Sequence, residues 1–432
     1  MPNFQGKFQY LDQSGASSQD GACRVQFDAE TFTLTPESGP ALVFDLGDLD
    51  TITAADYEAR LALYTGRTIV LQQLGKAYAT FVHDLTEAHR NRTVQCMLLE
   101  DMAEVARFNG NFDLAGDNSA SGPAEIRLYK SNLAVLPVAS QSFQWRLADI
   151  DEAKLDAYEV TLQAGGWLKF SHLAKRTEEF AAKINEARTA LQTQTSQALH
   201  SLLPFLDPDQ LQSCAALLRE GRSAPLAKLA EIHQHIPAAL AANAVDKALK
   251  PYYDQLITRA VAGMGYAGFK IIRPDQGQNT SAAGRDNDPD ADSAAPETLY
   301  WFFFPIAAKP GSSSPANVVA WEASSREGRA SYFFRLVAPA EAASLADPSR
   351  APSIVDAAIR RLNRVLAMLN FRRRPIYLSD EELATDPHFH RYAIAARRMP
   401  EVREVRASFL GRALHASPEA WQQQIDSFLE KA

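Results

Sequence analysis

Cysteine is nearly absent. Cys23, Cys96 and Cys214 are the only three in 432 residues, far apart and odd in number. They form no Cys-x-x-Cys pair, so neither a disulfide framework nor a zinc site is expected; they read as buried thiols in a reducing compartment. Long apolar runs are lacking too. The best, Leu299 to Ala308, is about half of the roughly 20 residues a membrane-spanning helix needs, and its aromatics suit a buried strand. The opening MPNFQGKFQYLDQSG has no basic stretch followed by an apolar one, so no signal peptide is expected and a cytoplasmic location is the default. Neither sign of charge dominates. With 44 basic and 52 acidic residues the net charge is -8, which gives no global attraction to nucleic acid or anionic lipid. Missing as well are a Gly-Lys-Ser/Thr phosphate loop, a dinucleotide fingerprint, a nucleophile elbow and His-Glu-x-x-His. No cofactor, catalytic residue or metal ligand is therefore nominated. An acid/base pair drawn from distant segments would leave no linear trace and stays open.

What is present is an internal repeat. Residues 21–62 match residues 122–163 at a constant spacing of 101, pairing Gly21 with Gly122, Val25 with Ile126, Phe27 with Leu128 and Pro36 with Pro137. Asp48-Leu49-Asp50 meets Asp149-Ile150-Asp151, and Tyr57-Glu58 meets Tyr158-Glu159. After a two-residue deletion near Gly66 and Gly165 the match resumes at a spacing of 99, with Leu74 facing Leu173 and Phe81 facing Phe180. Preserved hydrophobic phase, prolines and acidic turns together indicate duplication. Within each copy, period-2 alternation (Arg24-Val25-Gln26-Phe27; Glu125-Ile126-Arg127-Leu128) predicts strands with one buried and one solvated face. Gly39-Pro40 and Ala139 to Ser142 mark turns, and Tyr57 and Tyr158 are expected to start strands. The period then becomes 3.6: Phe81, Leu85 and Ala88 in one copy, and Phe180, Ile184 and Ala187 in the other, share a helix face. The first helix is expected to continue past Glu87 through Met97 and Met102 towards Phe108, with Asn109-Gly110-Asn111 ending it.

Short strands, a curled antiparallel sheet and one closing C-terminal helix, over about residues 4–190, resemble the pleckstrin-homology-like (PH/GRAM-like) superfamily. The whole chain also looks like uncharacterised bacterial proteins with tandem units. The resemblance implies two antiparallel barrels and, from its best-known members, phosphoinositide binding through a basic first hairpin loop. Here those loops read Asp28-Ala29-Glu30 and Tyr129-Lys130-Ser131-Asn132, which lack the phosphate-neutralising charge.

Beyond the repeat, residues 195–263 read as helical, with Asp207-Pro208 as a helix start. Residues 274–297 are polar and acidic and cannot bury enough surface to order, so a mobile loop is expected. Phe269 to Ile272, Tyr300 to Ile306, Val318 to Glu322 and Ala330 to Val337 read as a second β region joined by hairpins, with helices resuming at Ser353. There Ile354, Ala357, Ile359, Leu362, Val365, Leu366 and Leu369 form an apolar stripe. Arg360, Arg361 and Arg364, with Arg372, Arg373 and Arg374 just beyond, concentrate positive charge in an acidic chain. These six are the candidate partner- or anion-binding residues.

The expectation is an α+β protein divided at 1–112 and 113–194 (PH-like units), 195–263 (helical) and 264–432 (C-terminal sheet with helices). Its expected role is that of a non-catalytic scaffold whose partner is a protein. Phosphate, RNA or anionic lipid on the arginine-rich helix 353–374, or an enzyme site in the C-terminal domain recruiting Glu322, Glu327 or the arginines, are the alternatives.

Overall fold

The computed structural model describes residues 3–99, 103–116, 119–138, 140–272, 297–309, 311–324, 330–387 and 389–432. The expected acidic loop up to residue 296, Ala139, Met102, the hairpin residues 325–329 with Glu327, and His388 lie outside the described residues. The chain divides into two compact units, Met1–Arg188 with Phe389–Pro400, and Thr189–His388 with Glu401–Ala432.

In the first unit, alternating apolar residues build seven strands: β1 (Asn3–Leu11), β2 (Ser17–Phe27), β3 (Thr31–Pro36), β4 (Leu42–Asp45), β5 (Leu49–Ala55), β6 (Glu58–Leu63) and β7 (Thr68–Gln72). They form one antiparallel sheet in the order β4-β3-β2-β1-β7-β6-β5. The β2–β3 reversal is closed by Asp28, whose carboxylate accepts from the amides of Glu30 and Thr31 at 2.9 and 2.8 Å. Helix α1 (Tyr78–Cys96) follows and lays Phe81 and Leu85 into the sheet's apolar face beside Val25, Phe27 and Phe32. Phe4 meets Phe81 edge-on at 5.0 Å. Truncating a ring so enclosed costs about 3–5 kcal/mol.

The pattern then repeats. Strands β8 (Glu104–Leu114), β9 (Ala120–Tyr129), β10 (Asn132–Pro137), β11 (Phe143–Arg146), β12 (Glu152–Asp156), β13 (Glu159–Gln163) and β14 (Trp167–Ser171) pair in the order β11-β10-β9-β8-β14-β13-β12, and α2 (Thr177–Leu202) follows. Even the strained glycines correspond: Gly21 and Gly122 sit at φ 140° and 141°.

Three expectations are corrected here. The first helix stops at Cys96, and Glu104–Leu114, which includes Phe108, forms β8, the counterpart of β1. Phe4-Gln5-Gly6-Lys7-Phe8 recurs as Phe108-Asn109-Gly110-Asn111-Phe112, with Phe108 edge-on to Phe180 at 5.0 Å. Both glycines are crossing points: a Cβ would lie 2.7 Å from the Gln72 carbonyl at Gly6 and 2.8 Å from that of Ser171 at Gly110. Next, Glu125 and Arg127 do not face solvent; they are 4% and 3% exposed. The second half of α1 covers them, Arg127 donating to Asn91 at 2.8 Å and Glu125 receiving Arg90 at 3.2 Å. Val94, Met97 and Leu99 pack there with Tyr129, Ala134 and Leu136. Last, Tyr57 and Tyr158 lie at exposed hairpin tips, not at packed strand starts.

In the second unit, α3 (Pro208–Leu217) opens on Asp207, which closes a capping box with Gln210. Then come β15 (Ala224–Pro225), α4 (Leu226–Ile232), α5 (Ile236–Ala244) and α6 (Lys250–Arg259). The sheet continues with β16 (Tyr266–Ile272), β17 (Glu297–Ala307), β18 (Pro315–Ala323) and β19 (Ala330–Arg335). Helices α7 (Ala351–Met368), α8 (Arg374–Tyr377) and α9 (Asp380–Thr385) follow, and later α11 (Pro400–Ser408), β20 (Phe409–Leu414) and α12 (Pro418–Lys431). Between α9 and α11 lies α10 (His390–Arg398), which belongs to the first unit. The six strands run antiparallel in the order β15-β16-β17-β18-β19-β20. Strand β20 lies beyond the four strands expected of this region from sequence.

This sheet is buried on both faces. One side packs Phe302, Phe304 and Phe333 with Tyr253, Trp421 and Phe428. On the other, Trp301 lies 4.0 Å from the Phe371 ring and donates to Asn363 of α7 at 2.9 Å. Along α7 the buried residues include Ala351, Val355, Ala358, Ile359, Leu362, Val365 and Leu366, so Val355 and Ala358 take the buried places expected of Ile354 and Ala357.

Candidate functional site

The six arginines do not share one surface. Arg360, Arg361 and Arg364 are exposed along α7; Arg360 pairs with Asp356 at 2.7 Å, and Arg361 lies 3.7 Å from Glu404. Arg361, Glu404 and Leu336 line a shallow cleft there. Arg372 and Arg374 are half-buried. Arg373 is 4% exposed: it reaches the Ala323 carbonyl at 3.4 Å and lies over the rings of Trp321 and Tyr332. Its charge is held by π faces and a carbonyl, a structural placement.

A second cluster joins two strands, the turn after a third and a helix in the second unit. Ser331 on β19 donates to Glu322 on β18 at 2.5 Å, and its oxygen lies 3.0 Å from His415 Nε2, just past β20. Trp421 of α12 donates to the same oxygen at 2.9 Å. A hydroxyl has one proton and two lone pairs, so it is fully used when His415 carries a proton on Nε2. The residues are those of a hydrolytic triad, but the arrangement is not. Ser331 is fully buried, its proton goes to the carboxylate, and one imidazole nitrogen faces both partners. His415 Nδ1 is buried without a hydrogen-bond partner, and the ring stacks on Tyr252 at 4.1 Å. Among the described residues, no group of three or more His, Cys, Asp or Glu side chains is placed to hold a metal ion. No helix among them is long and apolar enough to cross a membrane.

The third place is in the first unit, where the β4–β5 connection meets α1 and α10. Leu46–Asp48 forms a tight turn capped by Asp45, which accepts from the Gly47 amide at 2.6 Å. Arg92 of α1 grips Asp45 with two bonds of 2.9 and 2.6 Å and reaches Glu30 at 3.1 Å. Burial is the largest single influence and works against the Arg92 charge, but the Asp45 bond and the negative groups around it together outweigh burial and hold the pKa above the ordinary value. Against this turn lies α10. Arg398, 4% exposed, donates to the carbonyls of Gly47 and Leu49 at 3.0 and 3.2 Å and stacks over Tyr64. Arg397 pairs with Asp48, and His390 lies 3.5 Å from Asp45. His89 donates to the Leu49 carbonyl at 3.1 Å; burial first, and then the Arg398 charge, push its pKa down to about 3, so it stays neutral. Cys96 lies under the turn, its thiol pushed up to about 12 by burial.

Sequence reasoning found neither of the last two clusters as such. It weighed Glu322 for chemistry and Asp48 as a turn residue, but Arg397 and Asp48 are 349 positions apart.

No family model matches the chain, and no curated protein does. Among solved structures, one titled "Structure of the Spt16D Pob3N heterodimer" is similar at 13% identity and a TM-score of 0.17, covering 43% of this chain and 90% of that one. A likeness at that score fixes neither fold nor partner.

Proposed function

We propose that the chain is a non-catalytic intracellular interaction protein. In this reading its two PH-like modules, each a curled seven-stranded sheet closed by a C-terminal helix, serve as a binding platform. The observation that carries the reading is the seating of α10 on the first module: a helix from a remote part of the sequence is held by charge, carbonyl and ring contacts on one turn. That is the chemistry by which a sheet–helix module holds a helical partner. The first hairpin loop supports a protein over a lipid partner, since Asp28 is committed to closing its own turn and the loop offers no cation.

The test is capture from source cells at native expression after brief crosslinking. A stoichiometric partner retained by the parent chain is the expected result; none retained removes the reading. A second reading, anion binding, draws on Arg360, Arg361 and Arg364 being exposed on one helix. It predicts binding to RNA or anionic vesicles that weakens steeply with salt and is lost in an Arg360/Arg361/Arg364→Glu variant.

A further inference from the structure

Two tyrosines stand at corresponding hairpin tips of the repeat, Tyr57 between β5 and β6 and Tyr158 between β12 and β13. They are 76% and 79% exposed, so burial accounts for neither ring. In the first copy Ala55 faces Glu58 across a two-residue turn whose central residues, Asp56 and Tyr57, have φ of 52° and 60°. In that left-handed region glycine is unstrained, whereas a large side chain crowds its own backbone. A strained and exposed ring therefore adds nothing to the hairpin that glycine would not supply, which points to a use outside the fold.

The ring that Tyr57 meets is Tyr78, at the start of α1, with centroids 5.4 Å apart and planes inclined by 50°. Tyr78 is fixed by its hydroxyl, which donates to the Glu58 carbonyl at 3.0 Å. Burial first, and then the charges of Asp56 and Glu58, push the Tyr78 phenol above its ordinary pKa, so both carboxylates act on this corner. Glu58 is already engaged, accepting from Arg60 and Gln72 at 2.5 Å each. Asp56 is exposed and has no hydrogen-bond or ion-pair partner among the described residues. The second tip lacks the second ring, since Thr177 stands where the first copy has Tyr78, and its Glu159 is paired with Lys169 at 3.2 Å.

We propose that Tyr57, Tyr78 and Asp56 form a docking site for a lysine or arginine side chain on a basic segment of a partner protein. The cation lies against the negative faces of the rings, and the unpaired Asp56 carboxylate supplies the opposite charge. That the cation belongs to a protein rests on the interaction reading above; the site itself does not.

The test uses the full chain and a short fluorescein-labelled peptide of alternating lysine and serine, titrated by anisotropy at low salt. The parent should bind this peptide and not the same peptide with glutamine for lysine. Tyr57→Gly should weaken binding about two- to fivefold, the worth of an exposed cation–ring contact, without lowering stability in denaturant melts. Tyr57→Phe keeps a ring and should bind as the parent does, while Asp56→Asn should weaken binding by a similar factor to Tyr57→Gly. Tyr158→Ala, at the tip without a second ring, should leave binding unchanged. General attraction of a basic peptide to an acidic chain is indifferent to Tyr57→Gly, which alters no charge. Equal binding by parent and Tyr57→Gly therefore overturns the site, as does a parent that fails to bind or an equal loss in Tyr158→Ala. A Tyr57→Gly variant that loses stability along with binding makes the ring structural and also overturns it. Failure here with a partner still captured from cells removes the cation site and leaves the interaction role. Peptide binding without a captured partner does the reverse.

Discussion

At the scale of single residues, buried polar groups decide most of what can be tested. His89 sits at about 3 against an ordinary 6.5. Because the folded value is the lower one, the unfolded chain takes up the extra proton. The stability tied to this group is therefore whole above pH 6.5 and declines as pH falls towards 3, by about 1.4 kcal/mol per unit. Denaturant melts at pH 7 and pH 5 should show the parent losing about 2 kcal/mol more than His89→Gln, which keeps an N–H for the Leu49 carbonyl. Ser331→Ala makes a different point. It strips Glu322 of a donor and Trp421 and His415 of an acceptor in a closed interior, so a loss of about 1–3 kcal/mol is expected in the same melts. A loss near zero would mean that the cluster is not a structural tie. Neither site was legible in the sequence, for a simple reason. Glu322 and Ser331 come from two strands and His415 from the turn after a third, and Arg398 meets Leu49 across 349 positions, so no local spacing records them.

At the scale of elements, the duplicated sheet was legible wherever hydrophobic phase and turn residues agree. The strands from Val25 to Leu71 and from Ile126 to Phe170 fall where alternation puts them, because each buries one face on its own helix. The strand β8 was missed because Asn109-Gly110-Asn111 carries strong helix-ending signals, and the preceding apolar residues fit a helical period equally well. The clue was the match of Phe-x-Gly-x-Phe with residues 4–8, which places glycine where β1 and β8 cross a neighbouring carbonyl. Gly6→Ala and Gly110→Ala should therefore each destabilise by about 1–3 kcal/mol, with the backbone shifted to admit the methyl group. A pair of melts checks this, and two neutral substitutions would deny the equivalence of the two strands. The buried outer side of β9 was unreadable from its own pattern, since α1 supplies the cover for Glu125 and Arg127. In the C-terminal sheet the unbroken aromatic run is the signature of burial on both faces, which the helices on either side complete.

At the scale of the whole chain, the two copies of the repeat share one topology, β4-β3-β2-β1-β7-β6-β5 and β11-β10-β9-β8-β14-β13-β12. In the second copy Arg188 donates to the Ile150 and Asp151 carbonyls, and in the first Arg398, 351 positions beyond Gly47, donates to the Gly47 and Leu49 carbonyls. Charge on α7 is the competing source of affinity. An Arg360/Arg361/Arg364→Glu variant that retains the captured partner at parental yield would place the contact elsewhere than on α7.

The most direct measurement is hydrogen exchange of the full chain with and without the partner recovered by capture. The account predicts that, on partner binding, amides within the first or the second module, residues 3–96 or 104–202, gain protection. Unchanged exchange throughout both modules at saturating partner would contradict it.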